Sequence, residues 1–162
     1  MRLFIAAELS DEFLAIQSKL PQLSFPKYTH ITLKFLGDVT KEELATILSK
    51  LRTLKQQNIS LETQEALGFF PNEKNIKSIH IPIKSKSLSL LQKHLDHLLA
   101  DIFQKEKNFV PHITVARAKR ELISKEISTL QSIILEKKKV TGIPVYLFES
   151  TGPVYKKIKK LF

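Results

Sequence analysis

His-Ile-Thr followed by an aliphatic residue occurs twice in this chain, as HITL at 30–33 and HITV at 112–115. On a strand, successive side chains point to opposite faces. His30 and Thr32 therefore share one face while Ile31, Leu33 and Phe35 take the other, and the same count pairs His112 with Thr114. Each strand has an apolar side for a core and a side bearing one imidazole and one hydroxyl. Each also stands next to a long helical pattern in sequence, so the chain is expected to form two similar lobes related by an approximate two-fold. Strands lining a common groove would set two histidines and two threonines around it.

The rest of the chain supplies elements for such a pair of lobes. Arg2 to Ala7 read as a buried strand, and Ser10 with Asp11 and Glu12 as the cap of a helix reaching about Leu20. Thr40 and Glu43 form a T-x-x-E capping box ahead of Leu44, Ile47, Leu48 and Leu51 at helical spacing. Segments 60–69 and 76–84 read as a hairpin turning at Pro71 and Asn72. Ser87 opens a helix with Leu88, Leu91, Leu95, Leu98, Leu99 and Ile102 on its apolar side, and a shorter helix covers Glu121 to about Leu130. Three extended pieces follow, near 133–140, 143–149 and 154–162, broken by Gly142 with Pro144 and by Gly152 with Pro153. Helices interspersed with closely connected strands predict an α+β fold with mainly antiparallel sheets. No linker divides the chain, so residues 1–162 are expected to form a single two-lobed domain.

Composition narrows the chemistry. Lys and Arg outnumber Asp and Glu by 26 to 16, a formal charge of +10, which favours anionic partners such as nucleic acid or nucleotides. With no cysteine, disulfides, thiolate nucleophiles and Cys-bound zinc are excluded. The opening MRLFIAAELSDEF lacks the basic flank, long apolar stretch and cleavage site of a secretory leader, and no run reaches membrane-spanning length. A cytoplasmic protein with no membrane partner is the expectation.

Two imidazoles and two hydroxyls around one groove suit phosphoryl chemistry. One imidazole can take a proton from an attacking hydroxyl or water while the other, protonated, gives one to the leaving oxygen. The hydroxyls can donate to the non-bridging oxygens as charge builds on phosphorus. No metal and no cofactor is needed. A lone H-x-T is commonplace, a histidine in a strand beside a good strand former; two copies in β-rich surroundings favour the functional reading.

The pair HITL and HITV resembles the two H-x-T-x signatures of the two-histidine (2H) phosphoesterase superfamily, and its surroundings are similar to the RNA 2',3'-cyclic phosphodiesterase branch, historically called 2'-5' RNA ligase. The resemblance runs through MRLFIAAEL, THITLKFLGDV, ALGFFPN, VPHITVARAK and VYLFESTGPVYKKIKKLF, and so spans nearly the whole chain. It implies a bilobal α+β fold with the signature strands facing each other across a cleft, His30 as general acid, His112 as general base, and Thr32 and Thr114 as phosphate-oxygen ligands. It also implies hydrolysis of RNA 2',3'-cyclic phosphate ends, of tRNA origin among others, to a 2'-phosphate by a monomer, with reverse 2'-5' ligation as a secondary activity. Before the first motif, PKYTH replaces the branch's usual upstream Trp and Asn-Leu, and Tyr28 stands in their place. Rival readings are a phosphodiesterase for small cyclic nucleotides or 2'-5' oligonucleotides, and an RNA-binding module without turnover.

Further residues carry weaker expectations. Arg117 resembles a frequent family residue and is expected to bind substrate, although strict alternation puts it on the face opposite His112. Lys34, by the same alternation, shares the face of His30 and Thr32 and would sit at the cleft rim. His94 and His97 form H-x-x-H on a helix without a carboxylate at ligand spacing, so metal binding is not expected. His80 reads as isolated in a strand, Phe69, Phe70 and Phe103 as core, and the lysines at 137–139 and 156–160 as edge-strand protection or an RNA-guiding patch.

Overall fold

The computed structural model describes residues 1–162. In chain order its strands are β1 (Arg2–Glu8), β2 (His30–Asp38), β3 (Leu61–Thr63), β4 (Gly68–Asn72), β5 (Asn75–Lys84), β6 (His112–Arg117), β7 (Lys139–Val140), β8 (Val145–Ser150) and β9 (Tyr155–Lys160). The helices are α1 (Lys41–Leu51), α2 (Lys86–Leu98) and α3 (Ser124–Ser132), with a 3₁₀ helix at Asp11–Lys19 before β2. No helix is long and apolar enough to cross a membrane.

The strands form two antiparallel sheets flanked by helices, an α+β architecture. One has the order β2-β1-β8-β9. In the other, β5 is paired on one side with β6 and on the other with β4 and then β3, which in turn pairs with β7. Each H-I-T strand thus lies at the edge of its sheet, and β2 and β6 approach each other.

Local signals explain where the elements begin and end. Both arms of the expected capping box form: Thr40 Oγ1 accepts from the Glu43 N–H at 3.1 Å, and Glu43 Oε2 accepts from the Thr40 N–H at 2.8 Å. Helix α2 starts earlier than expected. Its cap is Ser85, which accepts from the Leu88 N–H at 3.0 Å, while Ser87 accepts from the Ser60 N–H at 3.0 Å and ties the helix start to β3. The segment expected as one strand over 60–69 is two, because the chain leaves the ladder after Thr63 and rejoins it at Gly68. Ile47 and Leu51 of α1, Leu88, Leu91 and Leu95 of α2 and Leu130 of α3 join the inward faces of both sheets in one apolar cluster of 31 buried residues.

Alternation fails at an equivalent place in each signature strand, and β2 has a second irregularity at Leu36, between Phe4↔Phe35 and Leu3↔Gly37. Against β1, the partners Ile5↔Lys34 and Ala6↔Thr32 leave Leu33 as an extra residue; against β5, Ile79↔Ala116 and His80↔Thr114 leave Val115 as one. These are β-bulges, and a bulge reverses the facing of the residues that follow it, up to the next bulge. The expectation for Lys34 is therefore corrected. It turns inward, only 1% exposed, and pairs with Asp96 of α2. Phe35, expected inside, turns outward and is 69% exposed.

Lys34 is buried and paired. Its ammonium donates to Asp96 and, at 2.8 Å, to the Gln104 carbonyl. Asp96 also accepts from Gln92 Nε2 at 2.8 Å and from the Glu106 N–H at 2.9 Å. The network joins the His30 strand, α2 and the segment that leads into the His112 strand.

Candidate active site

His30, Thr32, His112, Thr114 and Arg117 all line one cleft of about 670 Å³ between the sheets. The bulges account for this grouping. Without the extra Val115, Arg117 would face away from His112; with it, the guanidinium enters the cleft, as does Phe35 at the matching position of β2. The cleft lining contains Arg2, Lys27 and Arg117 and no carboxylate, so the cavity attracts anions. Glu8, opposite His30 on β1, is held instead by Lys157 at 2.8 Å.

The two histidines are fixed in different ways. His112 Nδ1 lies 2.7 Å from the Val110 carbonyl oxygen. A carbonyl can only accept, so in the neutral ring the proton sits on Nδ1 and Nε2 keeps its lone pair. His30 Nδ1 is buried without a hydrogen-bond partner. A buried N–H with no acceptor is costly, so the neutral His30 ring carries its proton on Nε2 instead. One ring offers a lone pair and the other an N–H.

His30 packs among rings, with Phe4 at 5.5 Å and Tyr155 edge-on at 5.2 Å. Tyr28 packs on Tyr155 at 5.8 Å and lines the cleft, in the region where the chain departs from the usual family pattern. Burial, then the positive Arg117, then His112 push the His30 pKa down to about 4. The His112 pKa is also lowered: burial lowers it most, the Val110 hydrogen bond opposes this, and Arg117 adds to the lowering.

Sequence reasoning missed His80. Directly opposite Thr114 on β5, its ring lies edge-on to His112 at 5.1 Å and stacks on Phe70 at 4.2 Å. Phe70 also meets His112 at 4.8 Å, so it walls the site and is not simply core. A side chain at Gly68 would place its Cβ only 2.2 Å from His80 Nε2, which explains glycine there. Burial, then His112, hold the His80 pKa down at about 4. The alternation S-I-H-I-P over 78–82, with polar residues on the face of His112, is the signal that could have found it. His94 and His97 join no cluster: no group of three or more His, Cys, Asp or Glu side chains could hold a metal ion.

A family model described as LigT like Phosphoesterase matches residues 3–80. An RNA 2',3'-cyclic phosphodiesterase of Methanothermobacter thermautotrophicus is 30% identical to this chain, over 96% of it and 95% of its own length. One of Methanocaldococcus jannaschii is 29% identical over 99% of each. The crystal structure of TT0787 of Thermus thermophilus superposes with a TM-score of 0.76 at 25% identity, covering 99% of this chain and 96% of that one. A two-lobed fold with an H-x-T-x strand from each lobe at one cationic cleft, matched nearly end to end by such relatives, makes this chain a phosphoesterase that belongs to the LigT-like family of the two-histidine superfamily.

Proposed function

We propose that residues 1–162 act as one two-lobed cytoplasmic domain that opens 2',3'-cyclic phosphate at RNA ends, without a metal, and leaves a 2'-phosphate. The observation that carries this reading is the meeting of two imidazoles, one with its Nε2 lone pair fixed by the Val110 carbonyl, in a cleft lined by cations and hydroxyls. Water gives its proton to His112 Nε2 as its oxygen bonds to phosphorus. The bond from phosphorus to the 3' oxygen breaks, its electron pair goes to that oxygen, and His30 in its imidazolium form supplies the proton. Thr32, Thr114 and Arg117 hold the non-bridging oxygens while charge accumulates there. A 2'-5' ligation follows from the same steps with a 5' hydroxyl in place of water, which gives its proton to His112 and bonds to phosphorus as the 3' oxygen leaves. All five side chains come from one chain, so a monomer suffices.

The test is turnover of an oligonucleotide ending in a 2',3'-cyclic phosphate, in excess chelator, with the product phosphate mapped. A 2'-phosphate product supports the reading; a 3'-phosphate product, or activity that disappears with the chelator and returns with metal, overturns it. Thr32→Val and Thr114→Val keep the shape but remove the donor, and each should lower turnover about tenfold to a thousandfold. If both variants were silent, the threonines would serve the strands alone.

The pH dependence follows from the lowered imidazoles. The productive form has one ring protonated and the other neutral, so kcat/KM should trace a bell. In the free enzyme His30 is pushed down to about 4 and His112 lies below its ordinary 6.5, so both limbs should fall on the acid side of 6.5. A bound phosphate anion offsets Arg117 and favours imidazolium, so the bell for kcat should move to higher pH. A kcat/KM bell centred above 7, or a kcat bell displaced to lower pH, would contradict this.

A further inference from the structure

The cleft runs on past the histidines, along the outer face of the first sheet beyond Phe35, to Gly37, Ser150 and Pro153. Arg2 stands at that end. Its side chain is exposed, lines the cavity and makes no salt bridge, and Asp38, its neighbour on β2, does not pair with it. Ser150 lies directly opposite Arg2 on β8 and lines the same cavity. Such cross-strand partners carry Cβ atoms about 5 Å apart on one face. Gly37, between them and Phe35, contributes no side chain and has nothing within 4 Å of where one would begin, so the space is open.

A guanidinium and a hydroxyl side by side repeat the chemistry of Arg117 and Thr114. They cannot serve the same phosphate, because Arg2 lies four residues along β1 from Ala6, the partner of Thr32. At 3.3 Å per residue that is about 13 Å. A second anion at that distance, on a cationic face with the exposed ring of Phe35 in between, fits a phosphate about two linkages along a single-stranded polynucleotide. We propose that Arg2 and Ser150 form a subsite for a phosphodiester about two linkages upstream of the reacting phosphate. This makes the preferred substrate an RNA end, not a mononucleotide. The inference rests on the function proposed above.

The experiment compares a 2',3'-cyclic mononucleotide, an oligonucleotide with the same cyclic end, and that oligonucleotide with neutral methylphosphonate linkages upstream. Arg2→Met should lower kcat/KM for the charged oligonucleotide about tenfold to a hundredfold, the scale of one charged hydrogen bond, and lower that for the mononucleotide by much less. It should also flatten the salt dependence of oligonucleotide binding by about one unit of slope. Arg2→Lys should keep most of the activity, and Ser150→Ala should lose less than Arg2→Met on the same substrate. The neutral oligonucleotide should lose the advantage of length in the wild type and be insensitive to Arg2→Met. Equal losses on all three substrates, no loss on the charged oligonucleotide, or an undiminished neutral one would overturn the subsite. Equilibrium binding of an oligonucleotide ending in a 2'-phosphate reads the same variants without turnover. A wild type that opens no cyclic phosphate but binds this product with the Arg2 dependence intact would therefore refute the proposed reaction and keep the subsite.

Discussion

Replacing either His30 or His112 by alanine should reduce cyclic-phosphate hydrolysis by at least about a hundredfold, within the hundred- to ten-thousandfold range of general acid–base assistance. His112→Ala removes the lone pair that the Val110 carbonyl fixes toward the cleft, and His30→Ala removes the group that the proposed mechanism assigns as donor to the leaving oxygen. The residual rate of each variant should keep only one limb of the pH bell, because only one imidazole remains to titrate. His30 has no hydrogen bond to lose through Nδ1, so the loss of rate should not be a loss of fold. Urea unfolding alongside the kinetics checks this. Near-normal turnover in either variant would remove that histidine from the mechanism.

Asp96→Ala should be the most damaging change away from the cleft, costing about 3–5 kcal/mol in unfolding free energy, the usual result of leaving one partner of a buried ion pair alone. It strands Lys34, 1% exposed, and also frees Gln92 and the Glu106 N–H. Lys34→Met combined with Asp96→Leu should cost less than Asp96→Ala alone, since no charge is left unpaired. The pair also sets a pH dependence. Burial acts to raise the Asp96 pKa, but the hydrogen bonds from Lys34, Gln92 and Glu106 and the Lys34 charge outweigh it and hold the pKa below the ordinary carboxylate value. A group depressed in the folded state stabilises above its unfolded pKa of about 3.9, and that stabilisation is lost as the pH falls through the folded value. Denaturant midpoints measured down through this range should fall more steeply for the wild type than for the Lys34→Met/Asp96→Leu variant. A full-cost double variant would show that packing around Asp96, not charge, matters.

The periodicities that carried the sequence reading were strong where one rule governed a segment. Thr40 and Glu43 cap α1 because that signal is local, and the stripe from Leu88 to Leu95 is buried as its spacing requires. Helical and strand patterns interspersed without a linker were enough to expect α+β and antiparallel sheets. The failures cluster at places where partners from distant parts of the chain decide. Nothing within HITLKFLG reveals that Leu33 is an extra residue in the ladder, because a bulge is a relation between two strands. That one displacement moved Lys34 inward and Phe35 outward. The same displacement at Val115 removed the objection to Arg117 that strict alternation had raised. His80 was overlooked because its significance lies in its pairing with Thr114, far along the chain on another strand.

The matching bulges also give the cleft a direction. A frame with an approximate two-fold axis would by itself accept a diester in either of two orientations, like a reversible plug, and one of them would set the leaving oxygen at the wrong imidazole. The position three residues after each signature threonine breaks that equivalence: the bulge presents the ring of Phe35 from one lobe and the guanidinium of Arg117 from the other. In the proposed reaction a bound chain would meet an apolar plate on one side and a cation on the other, and turning it end for end would set a charged phosphate against the ring and a base against the cation. Two sheets of like architecture thereby hold a site with a single polarity, and exchanging Phe35 and Arg117 would be a direct way to reverse it.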